Sequence, residues 1–348
     1  MKKILFFETT DFTGATRVTR TLANAAAKEY QVAFAQVGDE AFTFLRLPAS
    51  ARANALGGHT VSLVETDPSL IFHNPALLGA EMDKMVNLNY LNYISDINAG
   101  SAVFAKAAGD SAAWAVGASF MSYGDIREVT SENVVLGNVS AKDIALQGFY
   151  SRDLNPHWRG ALSMKFLYSS WADYTSIGLC FDAGLSYYQA DQGFSAGIVL
   201  KNVGAQLKAY NDERQKMPWD IQVGVSKRMN HAPIRFSLTA QYLNRWKFDA
   251  DDRTALEGEG DNFTKRLFKH LLVGVDFLPS DHFWLGVGFN PKAHYDLKLR
   301  GSNGLAGFTA GAGLKLKMFD VGVSMAKYHP SALSLMLSLS LSLQDFRL

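Results

Sequence analysis

The side chains that could do chemistry are easily gathered, and none falls into a reactive arrangement. Carboxylates crowd the stretch "DADDRTALEGEGD", with Asp249, Asp251, Asp252, Glu257, Glu259 and Asp261 close together. Such a stretch could offer oxygens to calcium, but it lacks the ligand order and the glycine of a calcium-binding loop. A solvated loop fits it better. The 8 histidines are scattered without metal-ligand spacing, and His270, alternating with apolar neighbours, reads as a lumen or packing residue. Cys180 is the single cysteine, so there is no disulfide framework and no thiolate metal site. No nucleophile elbow, zinc motif or phosphate loop occurs. The sequence therefore offers no catalytic, cofactor or metal residues, and an enzyme is not expected. What remains is a set of charges, Arg159, Lys165, Lys201, Arg235, Lys315, Asp182, Asp220, Asp276 and Asp320, spaced within apolar segments. They could line a charged pore. Pairing with one another or with a luminal segment is the preferred reading, because buried charges need partners.

The elements that carry these charges are strands. From Leu333 to Leu343 every odd position is Leu, and the even ones are Ser apart from Met336. Period-two alternation puts Leu on one face and Ser on the other. The same pattern sets Trp158, Leu162, Met164, Phe166 and Tyr168 against Arg159, Ser163 and Lys165, and Ile177, Leu179, Phe181 and Leu185 against Gly178, Asp182, Gly184 and Ser186. About fourteen such segments follow one another: 84–93, 97–107, 112–123, 139–152, 157–170, 176–189, 193–203, 217–228, 232–245, 265–278, 281–290, 305–316, 318–328 and 332–343. The even-numbered connections are tight ("AAGDS", "LNPH", "QADQ", "NHA", "PSD", "MF"), while the odd ones include long polar loops. Even strand number, short turns on one side and long loops on the other are the pattern of an outer-membrane barrel. Aromatics at strand ends complete it. Trp158, Tyr187, Phe277 and Phe283 are expected in a girdle at the periplasmic side, and Tyr123, Trp171, Trp219, Tyr242, Trp246 and Tyr328 at the outer side. Leu then meets lipid and Ser lines the lumen. A soluble propeller would show a blade repeat, and none is present.

Composition is compatible with this. Lys and Arg number 34 against 33 Asp and Glu, so no charge excess points to nucleic acid. Because lipid-facing and lumen-facing residues alternate, a barrel has the hydropathy of a soluble protein. Residues 1–35 read as an atypical signal or a misassigned start, with "AFAQ" placing a mature chain near Gln36. Residues 36–83 break the alternation, and 84–348 form the barrel.

The 36–83 segment carries a resemblance. In "LRLPASARANALGGHTVSLVETDPSLIFHNPALL", Pro48, Ala51, Arg52, Ala53, Gly57, Gly58, Asp67, Asn74, Pro75 and Ala76 occupy the places of a motif of the PorV/PorQ family, a branch of the FadL-like outer-membrane barrels. Over residues 40–348 the chain resembles that family, nearest its PorQ-like type IX secretion members. The resemblance implies a fourteen-strand barrel in the outer membrane of a Gram-negative bacterium, plugged by this segment from the periplasmic side. It implies an assembly role in the complex that attaches secreted cargo to surface lipopolysaccharide, with a PorZ-like surface protein as partner and PorU and PorV nearby. The other implied class is FadL-type transport of hydrophobic small molecules. For the assembly role, outer loops 203–216 and 246–264 are the expected docking site, with Tyr210, Trp219 and Trp246 as anchors and Asp249, Asp251, Asp252, Glu257 and Glu259 as charged rim.

Overall fold

The computed structural model describes residues 40–129, 135–171, 174–210, 214–246, 262–296, 305–329 and 332–344. The expected signal and cleavage site, and the acidic residues Asp249, Asp251, Asp252, Glu257, Glu259 and Asp261, lie outside them. Fourteen antiparallel strands form a closed barrel in which each strand pairs with its sequence neighbours and β1 pairs with β14. They are β1 Met85–Ile94, β2 Ile97–Ala107, β3 Ala112–Val129, β4 Val135–Asp153, β5 Trp158–Trp171, β6 Tyr174–Gln189 and β7 Phe194–Lys208. The remainder are β8 Asp220–Arg228, β9 Ile234–Ala240, β10 Leu271–Ser280, β11 Phe283–Phe289, β12 Phe308–Lys315, β13 Phe319–His329 and β14 Ala332–Ser342. No helix of the described residues is long and apolar enough to cross a membrane. The only way for this backbone to cross one is a closed ladder, which leaves no unpaired edge.

Facing follows the alternation. Leu333, Leu335 and Leu337 are exposed on the outside, whereas Ser334, Met336 and Ser340 are buried inside. Leu162, Met164 and Phe166 likewise face out, with Ser163 and Lys165 buried between them. The outward side chains form an apolar belt and the inward ones a polar, well-filled lumen.

The eighth to twelfth strands are all shorter than their sequence pattern, the ninth and tenth for a visible reason. The ninth ends at Ala240 because the chain turns inward at Tyr242, which has a left-handed φ of 59° and packs against the Arg46 guanidinium, 5.4 Å from its ring centre. The tenth begins only at Leu271, since residues 263–269 form a helix. There Phe263, Leu267 and Phe268 recur at helical rather than strand spacing. The third and fourth strands are longer than expected, extending as a hairpin to Val129 and Val135.

The luminal segment is built from short pieces: a helix α1, Ala51–Ala55, and 3-10 turns at Thr43–Arg46, Pro68–Phe72, Pro75–Leu77 and Ala80–Met82. It begins where Ala41 N–H donates to Lys216 O at 2.9 Å, in the β7–β8 connection, on the side of the long connections. It ends at the opposite side, where Ala107 N–H donates to Asp83 Oδ1 at 3.0 Å. Residues 74–76 of this plug pack against Gly184 of β6 and Gly197 of β7, near the short-turn end as expected. The segment runs the full height of the barrel, and the buried core lies between it and the wall.

Candidate functional site

Sequence dictates how the segment is turned and capped. The Asp67 carboxylate accepts from Ser69 N–H at 2.9 Å and Ser69 Oγ at 2.7 Å, starting the Pro68 turn. Asn74 does the same for Ala76 N–H at 3.0 Å, and its amide donates to Val61 O at 2.8 Å, tying two stretches of the segment together. Pro75 and Ala76 follow, fully buried. Gly57 and Gly58 have φ of 102° and 110°, which only glycine adopts without strain. Gly57 N–H then donates to Thr309 Oγ1 on β12 at 2.9 Å. All the motif residues, Pro48 included, sit inside the barrel. Wall glycines make room for them: a Cβ at Gly197 would lie 2.0 Å from Val61 O, and one at Gly288 would lie 2.2 Å from Gly57 N.

The charges pair. Arg52, 3% exposed, lies 3.1 Å from Glu65 and 3.2 Å from Asp276 on β10, and its guanidinium stacks 4.1 Å from the Trp284 ring centre. Arg235 on β9 donates to Asp276 at 3.0 Å and to Glu65 at 2.6 Å. Two cations and two anions thus join segment to wall with no net charge. Burial alone would push the Glu65 carboxyl up, but Arg235 and Arg52 outweigh it and hold it at about 2. Across the lumen, Lys165 contacts Asp182 at 2.6 Å and Asn202 Oδ1 at 2.7 Å, and Asn202 N–H donates to the other Asp182 oxygen at 2.7 Å. This cluster sits on a bulge in the β6–β7 ladder, where Asn202 adopts a φ of 57°. Lys201 donates to Phe72 O of the segment at 3.0 Å, and Arg159 reaches Glu81 at 3.1 Å near the short-turn end. Lys315 meets Thr66 Oγ1 at 2.5 Å. Pairing rather than pore lining, the preferred sequence reading, is the arrangement found for Arg159, Lys165, Asp182, Arg235 and Asp276, whereas Asp220 accepts from Gln222 Nε2 at 2.8 Å.

A histidine pair was not visible in the sequence. His59 and His73 lie 3.2 Å apart through their Nδ1 atoms. His59 Nε2 faces Arg46 O at 3.0 Å, and Ala49 N–H faces His73 Nε2 at 3.4 Å. One proton arrangement satisfies all three contacts. His59 donates from Nε2, His73 donates from Nδ1 to His59, and His73 Nε2 accepts. Both rings are neutral in it, with burial and then Lys201 lowering His59 to about 3, and burial first, then His59, keeping His73 well below its ordinary value.

Between residues 44–49, Phe72 and the wall of β1 to β5 and β14 lies a cavity of about 50 Å³. Phe44, Leu45, Leu47, Leu91 and Met336 give it apolar surface, Asn89, Ser101, Ser119 and Gln147 give it polar surface, and Lys165 supplies a cation at its edge. It reaches the wall at Gly100, which the outward Phe120 ring covers; a Cβ there would lie 2.6 Å from that ring.

The aromatics expected in the outer girdle divide. Trp219 and Trp246 are exposed. Tyr328 instead hydrogen-bonds Asn54 of the segment, Tyr123 donates to Asp143 at 2.6 Å, and Trp171 Nε1 donates to Ser169 at 3.0 Å. Tyr210, an expected docking anchor, also bonds Ser169. These phenols lie inside the mouth because a buried hydroxyl needs a partner, and the luminal Ser, Asp and Asn side chains provide one. Among the described residues there is no group of three or more potential metal ligands.

The fold is that of a plugged, FadL-like fourteen-strand barrel. No family model matches the chain, and no curated protein matches it. Among solved structures it is similar to the Pseudomonas putida toluene transporter TodX, with 11% identity, a TM-score of 0.55, and coverage of 85% of this chain and 99% of that one. It is also similar to the monoaromatic hydrocarbon channel CymD, with 11% identity, a TM-score of 0.52, and coverage of 87% and 99%. At these identities the likeness is one of fold.

Proposed function

We propose that the protein is an outer-membrane transport barrel for small hydrophobic molecules, with residues 41–49 as the movable part of its luminal segment. The observation that carries this reading is the cavity those residues cover: apolar on the side of Phe44, Leu45, Leu47, Leu91 and Met336, polar where Asn89, Ser101, Ser119, Gln147 and Lys165 line it, and separated from the barrel exterior by Gly100 and the Phe120 ring. At about 50 Å³ it has room for a few waters. A cavity near 150 Å³ is what admits benzene, so Leu45 and Leu47 must move for a ligand to enter. The fold shared with a toluene transporter and a monoaromatic channel supports the same class. A closed ladder with an apolar exterior supports a place in the outer membrane of a Gram-negative bacterium. The test is influx of toluene and of a long-chain fatty acid into vesicles containing the folded protein. Ala99→Phe, which fills the cavity, should slow influx about tenfold or more, equivalent to roughly 1.4 kcal/mol or more. Influx of both compounds at the rate of protein-free vesicles would end this reading.

A second reading is a structural role in type IX cargo attachment, as a PorQ-like barrel with PorZ, PorU and PorV as partners and lipopolysaccharide nearby. What favours it is the completeness of closure: paired strands around the whole circumference and a segment tied to the wall by ion pairs. In that role Trp219 and Trp246 remain available to a partner, whereas Tyr210 is turned inward. Purification of the intact outer-membrane complex and identification of its components tests it. Recovery of the barrel alone would remove it.

A further inference from the structure

The wall is uneven in height. β3 and β4 have 18 and 19 residues, but β9 and β11 have 7 each and β12 has 8. Seven residues rise about 23 Å along the strand at ~3.3 Å each. At a tilt of roughly 40° that is about 18 Å along the membrane normal, against an apolar band of ~25 Å. β9 and β11 thus fall short by about 7 Å, and they do so at the end of the long connections: β9 stops at Ala240 opposite Val223 while β8 continues to Asp220, and β11 stops at Phe289 opposite Val273 while β10 continues to Leu271.

Directly there, the helix α2, Phe263–Lys269, has its polarity reversed. Phe263 is 71% exposed and Phe268 50%, with Leu267 also exposed, while Lys269 is buried and Lys265 lies 5.2 Å from the ring centre of Tyr295 in helix α3, Pro291–Asp296. A helix over a barrel mouth that met only water would present its lysines and bury its phenylalanines. Trp246 extends the patch, stacked on Phe263 at 6.5 Å with the planes 8° apart. The patch is continuous in the chain with the lipid belt, since Phe268 precedes the outward Val273, Val275 and Phe277 of β10.

We infer that α2 lies in the outer leaflet and completes the apolar band where β9, β11 and β12 are too short. Its occupant is the acyl-chain region of the membrane. A helix lying flat is ~10 Å across, enough to fill the deficit, and Trp246 sits as an interfacial aromatic at its rim. This assignment takes the patch away from protein docking and does not depend on what the lumen transports.

The test uses the full chain, in which Cys180 is buried, with a single added cysteine carrying a bimane label. Leu267→Cys is compared with Val287→Cys, on the lipid face of β11, and with Asp281→Cys, in the β10–β11 turn. Each is folded into phosphatidylcholine vesicles with or without bromine on the acyl chains. The label at 267 should be quenched by brominated chains to within about twofold of the label at 287, with the label at 281 unquenched. A label at 267 that behaves like the one at 281, and is reached instead by an aqueous nickel quencher, overturns the proposal and marks the face as one for a protein. Each labelled variant keeps Phe263, Phe268 and Trp246, and heat-modifiable electrophoretic mobility selects the folded barrels that are compared.

Discussion

The luminal segment is held in two different ways along its length. Residues 50–83 are fixed to the wall by ion pairs at Arg52, Glu65 and Glu81 and by backbone contacts at Gly197 and Gly288 that leave no room for a methyl group. Within residues 41–49, Phe44, Leu45 and Leu47 are held by apolar contact beside the cavity, with Leu45 and Leu47 only partly buried, while Arg46 pairs with Glu40, which also pairs with Arg245 at the barrel mouth. Directional contacts between desolvated charges are lost abruptly when geometry changes, whereas apolar contacts are lost gradually with area. One part is an anchor. The other is the part proposed to move, and the histidine pair joins them, linking His59 to Arg46 and His73 to Ala49.

The largest expected break of this contrast is Arg52→Ala. It leaves Glu65 and Asp276 to a single arginine in a buried site, a loss of about 3–5 kcal/mol, read from denaturant unfolding in bilayers and from new protease cleavage within 50–83. A cost no greater than that of an exposed ion pair would show the anchor to be solvated. Gly197→Val should come next, at about 1–3 kcal/mol, because Val61 O must be displaced. It should release the segment while the barrel remains closed. Leu45→Ala should cost least, about 1 kcal/mol for a half-buried side chain, yet raise ligand influx. If it lowered influx, residues 41–49 would be a binding surface rather than a cover.

Acid sharpens the comparison further. His59 and His73 are neutral when folded, with His59 at about 3, and each titrates near 6.5 when unfolded. The unfolded state therefore binds more protons below pH 6.5, and stability falls as pH drops through that range. Glu65 is held at about 2 against 4.5, so its contribution is present above pH 4.5 and lost only between 4.5 and 2. Lowering pH from 7.5 to 5.5 should loosen 41–49 first and spare the Arg52 anchor, a small effect that hydrogen exchange would locate. His59→Gln should flatten that pH dependence.

The barrel was legible in the sequence because strand alternation is local: Leu335 and Ser334 declare their faces without reference to any other strand. Strand number, turn parity and the identity of the segment that fills the lumen follow from the same local signals and from the motif at Pro48, Arg52, Gly57 and Asn74. Local signals failed where an element's fate depends on a distant neighbour. Nothing near Tyr328 or Tyr123 says that each will turn inward to Asn54 or Asp143 rather than outward to the interface. The 265–270 stretch passes for the start of a strand until its place above short strands makes it a helix. Period two in a sequence gives a face, because neighbouring side chains must alternate. The pairing of Arg52 with Asp276, of His59 with His73, and the direction in which the segment threads the barrel were decided only when closure brought residues far apart in the chain into one desolvated space.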